Sequence, residues 1–131
     1  MLRLHAPSLS HQTLSQRRQA EQLGRQAEQE VARLFQRRGF AILAVRLKTR
    51  GGEIDLVAAT ADCLVFVEVK ARASREAAAY AVSARQQARL WHAAEIALAL
   101  HPSWARPAMR FDAALVVPGG IEIIQDVIRL N

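Results

Sequence analysis

At 131 residues, with 51% hydrophobic and 23% charged residues, the chain can form one cored domain; it is too short for two ordinary domains and too apolar for a disordered protein. Net charge is +6 with a pI near 11.0, carried by sixteen arginines against two lysines, Lys48 and Lys70; a polyanionic partner and plain solubility both account for that sign. No apolar run approaches the ~20 residues of a membrane helix, the first residues lack a secretory signal and the single cysteine has no disulfide partner, so no membrane partner and a cytoplasmic location are expected.

Residues 1–19 are rich in Ser, Gln and His, carry Arg3, Arg17 and Arg18, and show no apolar period; they read as a flexible basic arm ahead of one domain over 20–131. From Glu21 to Arg38 the positions Leu23, Ala27, Val31, Leu34 and Phe35 share a helical face, with Gly39 as the stop. Strands are expected over 40–47, 53–59 and 63–72, the last with Cys63 as a core residue. An Ala-rich helix over 79–100 follows, ended by His101-Pro102. Strands over 109–117 and 121–128 flank the turn signal Pro118-Gly119-Gly120. The expected order is α-β-β-β-α-β-β.

Chemistry concentrates on the second and third strands. Alternation puts Glu53, Asp55 and Val57 on one face and Ile54, Leu56 and Ala58 on the other; Phe66, Glu68 and Lys70 likewise oppose Val65, Val67 and Val69. A two-residue turn at Ala61-Asp62 predicts Asp55 opposite Glu68, Glu53 opposite Lys70 and Val57 opposite Phe66, with Ile54, Leu56, Val67 and Val69 forming an all-core face. Opposed like charges destabilise a sheet by up to ~1 kcal/mol and ask for a cation. Mg²⁺ fits, since it takes one or two carboxylates and keeps several waters. Such an ion acidifies bound water and stabilises charge on phosphate oxygens, and Lys70 beside it could orient or deprotonate water or contact the phosphate.

The same residues also make an ordinary amphipathic strand in which Glu53 and Lys70 form an exposed ion pair of small worth. Glu28 lies at the edge of the first helix's apolar stripe, where a carboxylate either takes a cationic partner or stays wet. Gln86 faces inward on the second helix, four residues from Val82 and Leu90, as a packing residue or a site-edge group.

Gly-Gly-Glu-Ile-Asp-Leu-Val (51–57), Val-Phe-Val-Glu-Val-Lys-Ala-Arg (65–72) and Arg110-Phe111-Asp112 resemble the hallmark segments of the bacterial YraN family, over a stretch from about Gly24 to the C-terminus. That family is uncharacterised and is placed in the PD-(D/E)XK nuclease superfamily, near archaeal Holliday-junction resolvases. The resemblance implies an α/β, restriction-endonuclease-like αβββαβ core, a mixed central sheet flanked by helices. It implies Asp55 as the metal-binding acid, Glu68 and Lys70 as the Glu-x-Lys pair, and Glu28 as the first-helix glutamate. Glu53 belongs to the Gly-Glu-Ile-Asp motif, as a support for Lys70 or a loop arginine or as a catalytic group, and Arg110 and Asp112 are implied as structural residues. The chain departs from the family pattern at Val45-Arg46, where an Arg-Asn pair is usual, at Gln86, where a lysine is usual, and at Arg75-Glu76-Ala77-Ala78, which lacks the usual glycine.

The leading reading is a metal-dependent endonuclease hydrolysing DNA phosphodiester bonds, in branched or structured DNA, with Mg²⁺ or Mn²⁺ on Asp55 and Glu68. Arg46, Lys48, Arg50, Arg72 and Arg85 are the foremost backbone contacts, joined by Arg33, Arg37, Arg75 and Arg89. Each also reads as a solvated surface charge, and seven aromatics predict little base stacking. The alternative is a nucleic-acid-binding or partner-binding module that keeps the nuclease fold and is catalytically weak or inactive. A homodimer is a third reading, because a branched junction has paired strands to cut.

Overall fold

A computed structural model describes residues 13–71 and 83–128. Arg72, Arg75 and the expected start of the second helix at 79–82 lie outside the described residues, as do residues 1–12 of the expected arm.

Helix α1 spans Leu14–Arg37, beginning seven residues before the apolar period starts. Its first turn is held by a capping box: Gln16 N–H donates to Thr13 Oγ1 at 3.0 Å, and Thr13 N–H donates to Gln16 Oε1 at 3.0 Å. Residues 14–19, expected in a flexible arm, are therefore helical. Only from Ala27 onward does the helix bury side chains, namely Ala27, Glu28, Val31 and Phe35. Leu23, expected on the buried stripe, is 62% exposed; it lines an open cleft with Ala71, Val116, Val117 and Pro118. At the other end Gly39 adopts φ +92°, a left-handed stop that glycine adopts without steric cost.

Strands β1 (Ala41–Thr49), β2 (Gly52–Ala59) and β3 (Cys63–Ala71) form an antiparallel meander. At the β2–β3 turn the Thr60 hydroxyl accepts from the N–H groups of Asp62 and Cys63, and Thr60 N–H donates to Cys63 O. Cys63 is half-buried rather than a core residue. Helix α2 (Ala84–Leu100), capped by Ser83 Oγ, carries the chain over the sheet to β4 (Ala108–Val117), which lies parallel to β3. The hairpin at Pro118-Gly119 returns as β5, which covers only Gly120–Ile124. The expected strand stops short because the following residues fold back on β4: Val127 N–H donates to Phe111 O at 2.7 Å, and Asp126 N–H to Asp112 Oδ1 at 3.1 Å.

The result is an open, mixed α/β sheet of order β1-β2-β3-β4-β5, with the expected αβββαβ core order. α1 packs on one face over Leu56, Ala58, Val65, Val67 and Ala114. α2 packs on the other over Ile54, Val57, Leu64, Phe66 and Phe111. Ile54 and Leu56 thus lie in different cores, whereas strict alternation predicted one all-core face for both. The phase slips between them, at Asp55. In the facing strand Val45 pairs Leu56 and Leu47 pairs Ile54, and the intervening Arg46 takes φ +53°, left-handed backbone uncommon for any residue but glycine. The two distortions sit side by side, and the site is built on them.

Candidate functional site

β2 and β3 pair in the predicted register from Ala59↔Leu64 to Leu56↔Val67, and the ladder ends there. The next opposition expected, Asp55 with Glu68 across the ladder, is not made by the backbone. Instead Val69 N–H donates to Asp55 Oδ2 at 2.8 Å, the carboxylate standing where a strand carbonyl would be. Glu53 is not opposite Lys70 either; it pairs across the sheet with Lys48 of β1. The β2–β3 ladder therefore opens at this point, beside the left-handed turn at Arg46.

Into that opening come two buried glutamates. Glu68 is 6% exposed, and its oxygens are held separately: Lys70 Nζ lies 3.4 Å from Oε1, and Arg89 Nη2 of α2 lies 3.6 Å from Oε2. Glu28 of α1 is 7% exposed and accepts from Arg46 Nε at 2.6 Å. The left-handed turn at Arg46 accompanies this bond, and the Glu28 carboxylate drives the guanidinium's pKa further above its ordinary value. Arg46, expected on a DNA backbone, is thus paired within the protein.

Asp55 lies close to both glutamates. Burial is the largest cause that pushes its carboxyl up to about 7, followed by the charge on Glu68; a shared hydrogen bond with Glu68 and the charge on Glu28 add to it, against the Val69 N–H, which favours the ionised form. Two carboxylates this close and this dry require a proton or a cation between them. Asp55, Glu68, Glu28, Lys70 and Arg46 therefore converge, drawn from α1, β1, β2 and β3.

The remaining expected residues lie around this centre. Glu53 is half-buried, and its carbonyl accepts from Arg89 Nη1 at 3.4 Å. Gln86 is half-buried in the first turn of α2, where its N–H donates to Ser83 Oγ. Lys48, Arg50 and Arg85 are exposed. Arg110 and Asp112 form a separate unit: two parallel hydrogen bonds, Nε to Oδ1 at 2.8 Å and Nη2 to Oδ2 at 2.9 Å, tie them together while Asp112 also holds the Asp126 N–H.

Arg89 is the group that residue reading undervalued, having placed it among surface contacts. Its signal lay in Gly51-Gly52. A Cβ on Gly51 would come 2.7 Å from His92 Cδ2 and 2.9 Å from Ile96 Cδ1, and one on Gly52, at φ +134°, would come 2.9 Å from Arg89 Nη1. Two glycines let the β1–β2 hairpin lie directly against α2, which brings Arg89 to Glu68.

Among the described residues no group of three or more His, Cys, Asp or Glu is arranged to cage a metal ion. The oxygen donors that face one another are Asp55 and Glu68, a pair that suits a hard cation retaining several waters. No described helix is long and apolar enough to cross a membrane.

The profile of the uncharacterised protein family UPF0102 matches residues 27–116, from the first buried turn of α1 to the end of β4. A UPF0102 protein of Acidiphilium cryptum is 46% identical over 122 residues, covering 93% of this chain and 95% of the relative. UPF0102 proteins of Rhodopseudomonas palustris and a Bradyrhizobium strain are 52% and 50% identical over 95 residues, covering 72% of this chain and 73% and 70% of the relatives. The chain belongs to the uncharacterised protein family UPF0102, the YraN family that its Gly-Glu-Ile-Asp and Val-Glu-Val-Lys segments resemble.

Proposed function

We propose that the protein is a metal-dependent nuclease that hydrolyses DNA phosphodiester bonds, acting on branched or structured DNA. The observation that carries this reading is the pairing of half-buried Asp55 with buried Glu68 where the β2–β3 ladder ends, with Lys70 on the same glutamate. Burial first and the charge on Glu68 second push the Asp55 carboxyl up to about 7, and a pair of oxygen donors that disfavours its own charge in this way fits the chemistry of Mg²⁺ or Mn²⁺. A bound ion there would supply Lewis acidity, making water more acidic and stabilising charge on phosphate oxygens.

The chain's own residues then divide the remaining tasks. Val69 N–H fixes one oxygen of Asp55, and Arg89 and Lys70 fix the two oxygens of Glu68, so neither carboxylate must reorganise when a substrate arrives. To Lys70, whose Nζ lies 3.4 Å from Glu68 Oε1, we assign orienting the attacking water or contacting the scissile phosphate. Glu28 adds negative charge to the centre, and Arg46 holds it in place.

The second reading, a binding module on the nuclease fold, is favoured by one feature. Glu28 and Glu68 are already matched by Arg46, Lys70 and Arg89, so much of the site's negative charge is balanced internally.

A cleavage assay on branched, single-stranded and duplex DNA, with and without Mg²⁺ or Mn²⁺, separates the two. We expect metal-dependent cutting that Asp55→Ala and Lys70→Ala each reduce by at least about 100-fold, the scale of losing a charge-stabilising group. Cutting that survives both substitutions overturns the mechanism. Salt-sensitive binding without cutting favours the module.

A further inference from the structure

α1 continues well past the fold it belongs to. From Thr13 to Leu23 every residue is exposed, and the first buried side chain is Ala27. A helical stretch with no buried face gains nothing from packing, yet this one is capped at its tip by Thr13 and Gln16. Its charges are Arg17, Arg18 and Arg25 against Glu21, with no acid in the first turn.

Direction matters as much as charge. At 100° per residue, Arg17, Arg18, Arg25 and Glu28 fall within a sector of about 100° on the helix surface. That sector borders the site, since Glu28 reaches into it and a Cβ on Gly24 would lie 3.9 Å from Arg46 Nη2. Arg25 stands 3.9 Å from Glu21, and both side chains are more than half exposed; such a pair contributes little, so a phosphate can compete for the arginine.

We propose that the first half of α1 is a DNA-backbone arm, with Arg17, Arg18 and Arg25 following the phosphates of a duplex that flanks the cleavage centre. The proposal rests on the nuclease reading for what lies at the end of the arm. The rise of the helix puts Arg17 about 16 Å from Glu28 along the axis. Phosphates along one strand are spaced by about 3.4 Å of helix axis, so the arm spans about five of them. Contacts of this kind give affinity and register without reading sequence.

The test is DNA binding by fluorescence anisotropy, without divalent metal, over a salt series on a duplex labelled at one end. Wild type is compared with Arg17→Gln/Arg18→Gln/Arg25→Gln and with the matching Arg→Lys triple. Each arginine that neutralises a phosphate contributes about 0.9 to the slope of log affinity against log salt, so the Gln triple is expected to be shallower by about 2 to 3 and about tenfold or more weaker at moderate salt. The Lys triple should retain most of the slope, because charge rather than fork geometry carries the effect. Circular dichroism checks that both triples keep their helix.

Equal slopes and affinities for wild type and the Gln triple overturn the arm, as does a wild type that shows no salt-dependent binding. Metal-dependent cutting, measured separately, tests the centre: wild type that binds with the expected slope but never cuts leaves the arm standing and removes the nuclease reading. Wild type that cuts while the Gln triple binds unchanged does the reverse.

Discussion

Asp55 is the residue at which the site departs from regular sheet, and its ionisation should be visible in stability. In the fold its carboxyl holds a proton up to about pH 7, against an ordinary value of 3.8. Between those values the folded state binds more protons than the unfolded chain, so stability should fall as pH rises from about 4 through 7. Urea midpoints at pH 5, 6, 7 and 8 should decline, and Asp55→Asn should flatten the decline and exceed wild type at pH 8. Addition of Mg²⁺ should recover stability at pH 8 more than at pH 5, because only the ionised carboxylate repels Glu68. Little of this was legible in the residue pattern. Alternation brought Asp55 and Glu68 to one place for a reason that fails locally, since it assumed a ladder running one pair further than it does. The slip between Ile54 and Leu56 depends on Arg46 turning left-handed in the neighbouring strand, and no single-strand period contains that information.

Among the elements, the hairpin joining β1 to β2 shows how a turn can be specified by its tertiary neighbour. Gly51 and Gly52 were read as a loop, and the strands run closer to the tip than expected, with Thr49 paired to Gly52 and the Thr49 hydroxyl bridging Gly52 O and Gly51 N–H. What forbids a side chain at Gly51 is the imidazole of His92 on α2. Gly51→Ala should therefore destabilise the protein by about 1 to 3 kcal/mol through overpacking. Combining it with His92→Ala should restore part of that loss relative to the sum of the single changes, as a double-mutant cycle in urea would read. α1 gives the complementary case. Its buried half was legible from the 3.6-residue period at Ala27, Val31 and Phe35, while its exposed half offers no period and is marked only by Thr13 and Gln16. Hydrophobic pattern detects helices that bury a face, and from Thr13 to Leu23 this one buries none.

For the molecule as a whole, the order of elements followed from turn residues and periodicity, and so did the β2–β3 register from Ala59↔Leu64 to Leu56↔Val67. The mixed sheet, in which β4 lies parallel to β3, was implied by the family resemblance and not by periodicity, because no strand's own pattern records the direction of its neighbour. The anchor of the C-terminal segment did not follow from periodicity either. Asp112 is completely buried, paired with Arg110, and accepts the Asp126 N–H where the chain turns left-handed at φ +59°. Its hydrogen bonds first, and its charge after them, lift the Arg110 pKa further above its ordinary value. Asp112→Ala would strand the guanidinium and release that segment, and should cost about 3 to 5 kcal/mol in thermal or urea unfolding. The carboxylates of the proposed centre use none of these partners, so divalent-metal affinity per folded molecule should change little. That contrast separates a residue that secures the fold from those that compose the site.

The bond between Val69 N–H and Asp55 Oδ2 makes one backbone amide a reporter of the centre. A ladder amide answers to a carbonyl, whose charge is fixed. This one answers to a carboxylate, so the nitrogen and proton resonances of Val69 should move whenever Asp55 gains or loses a proton, or exchanges it for a metal ion. The strand therefore carries its own spectroscopic gauge of the state of the site.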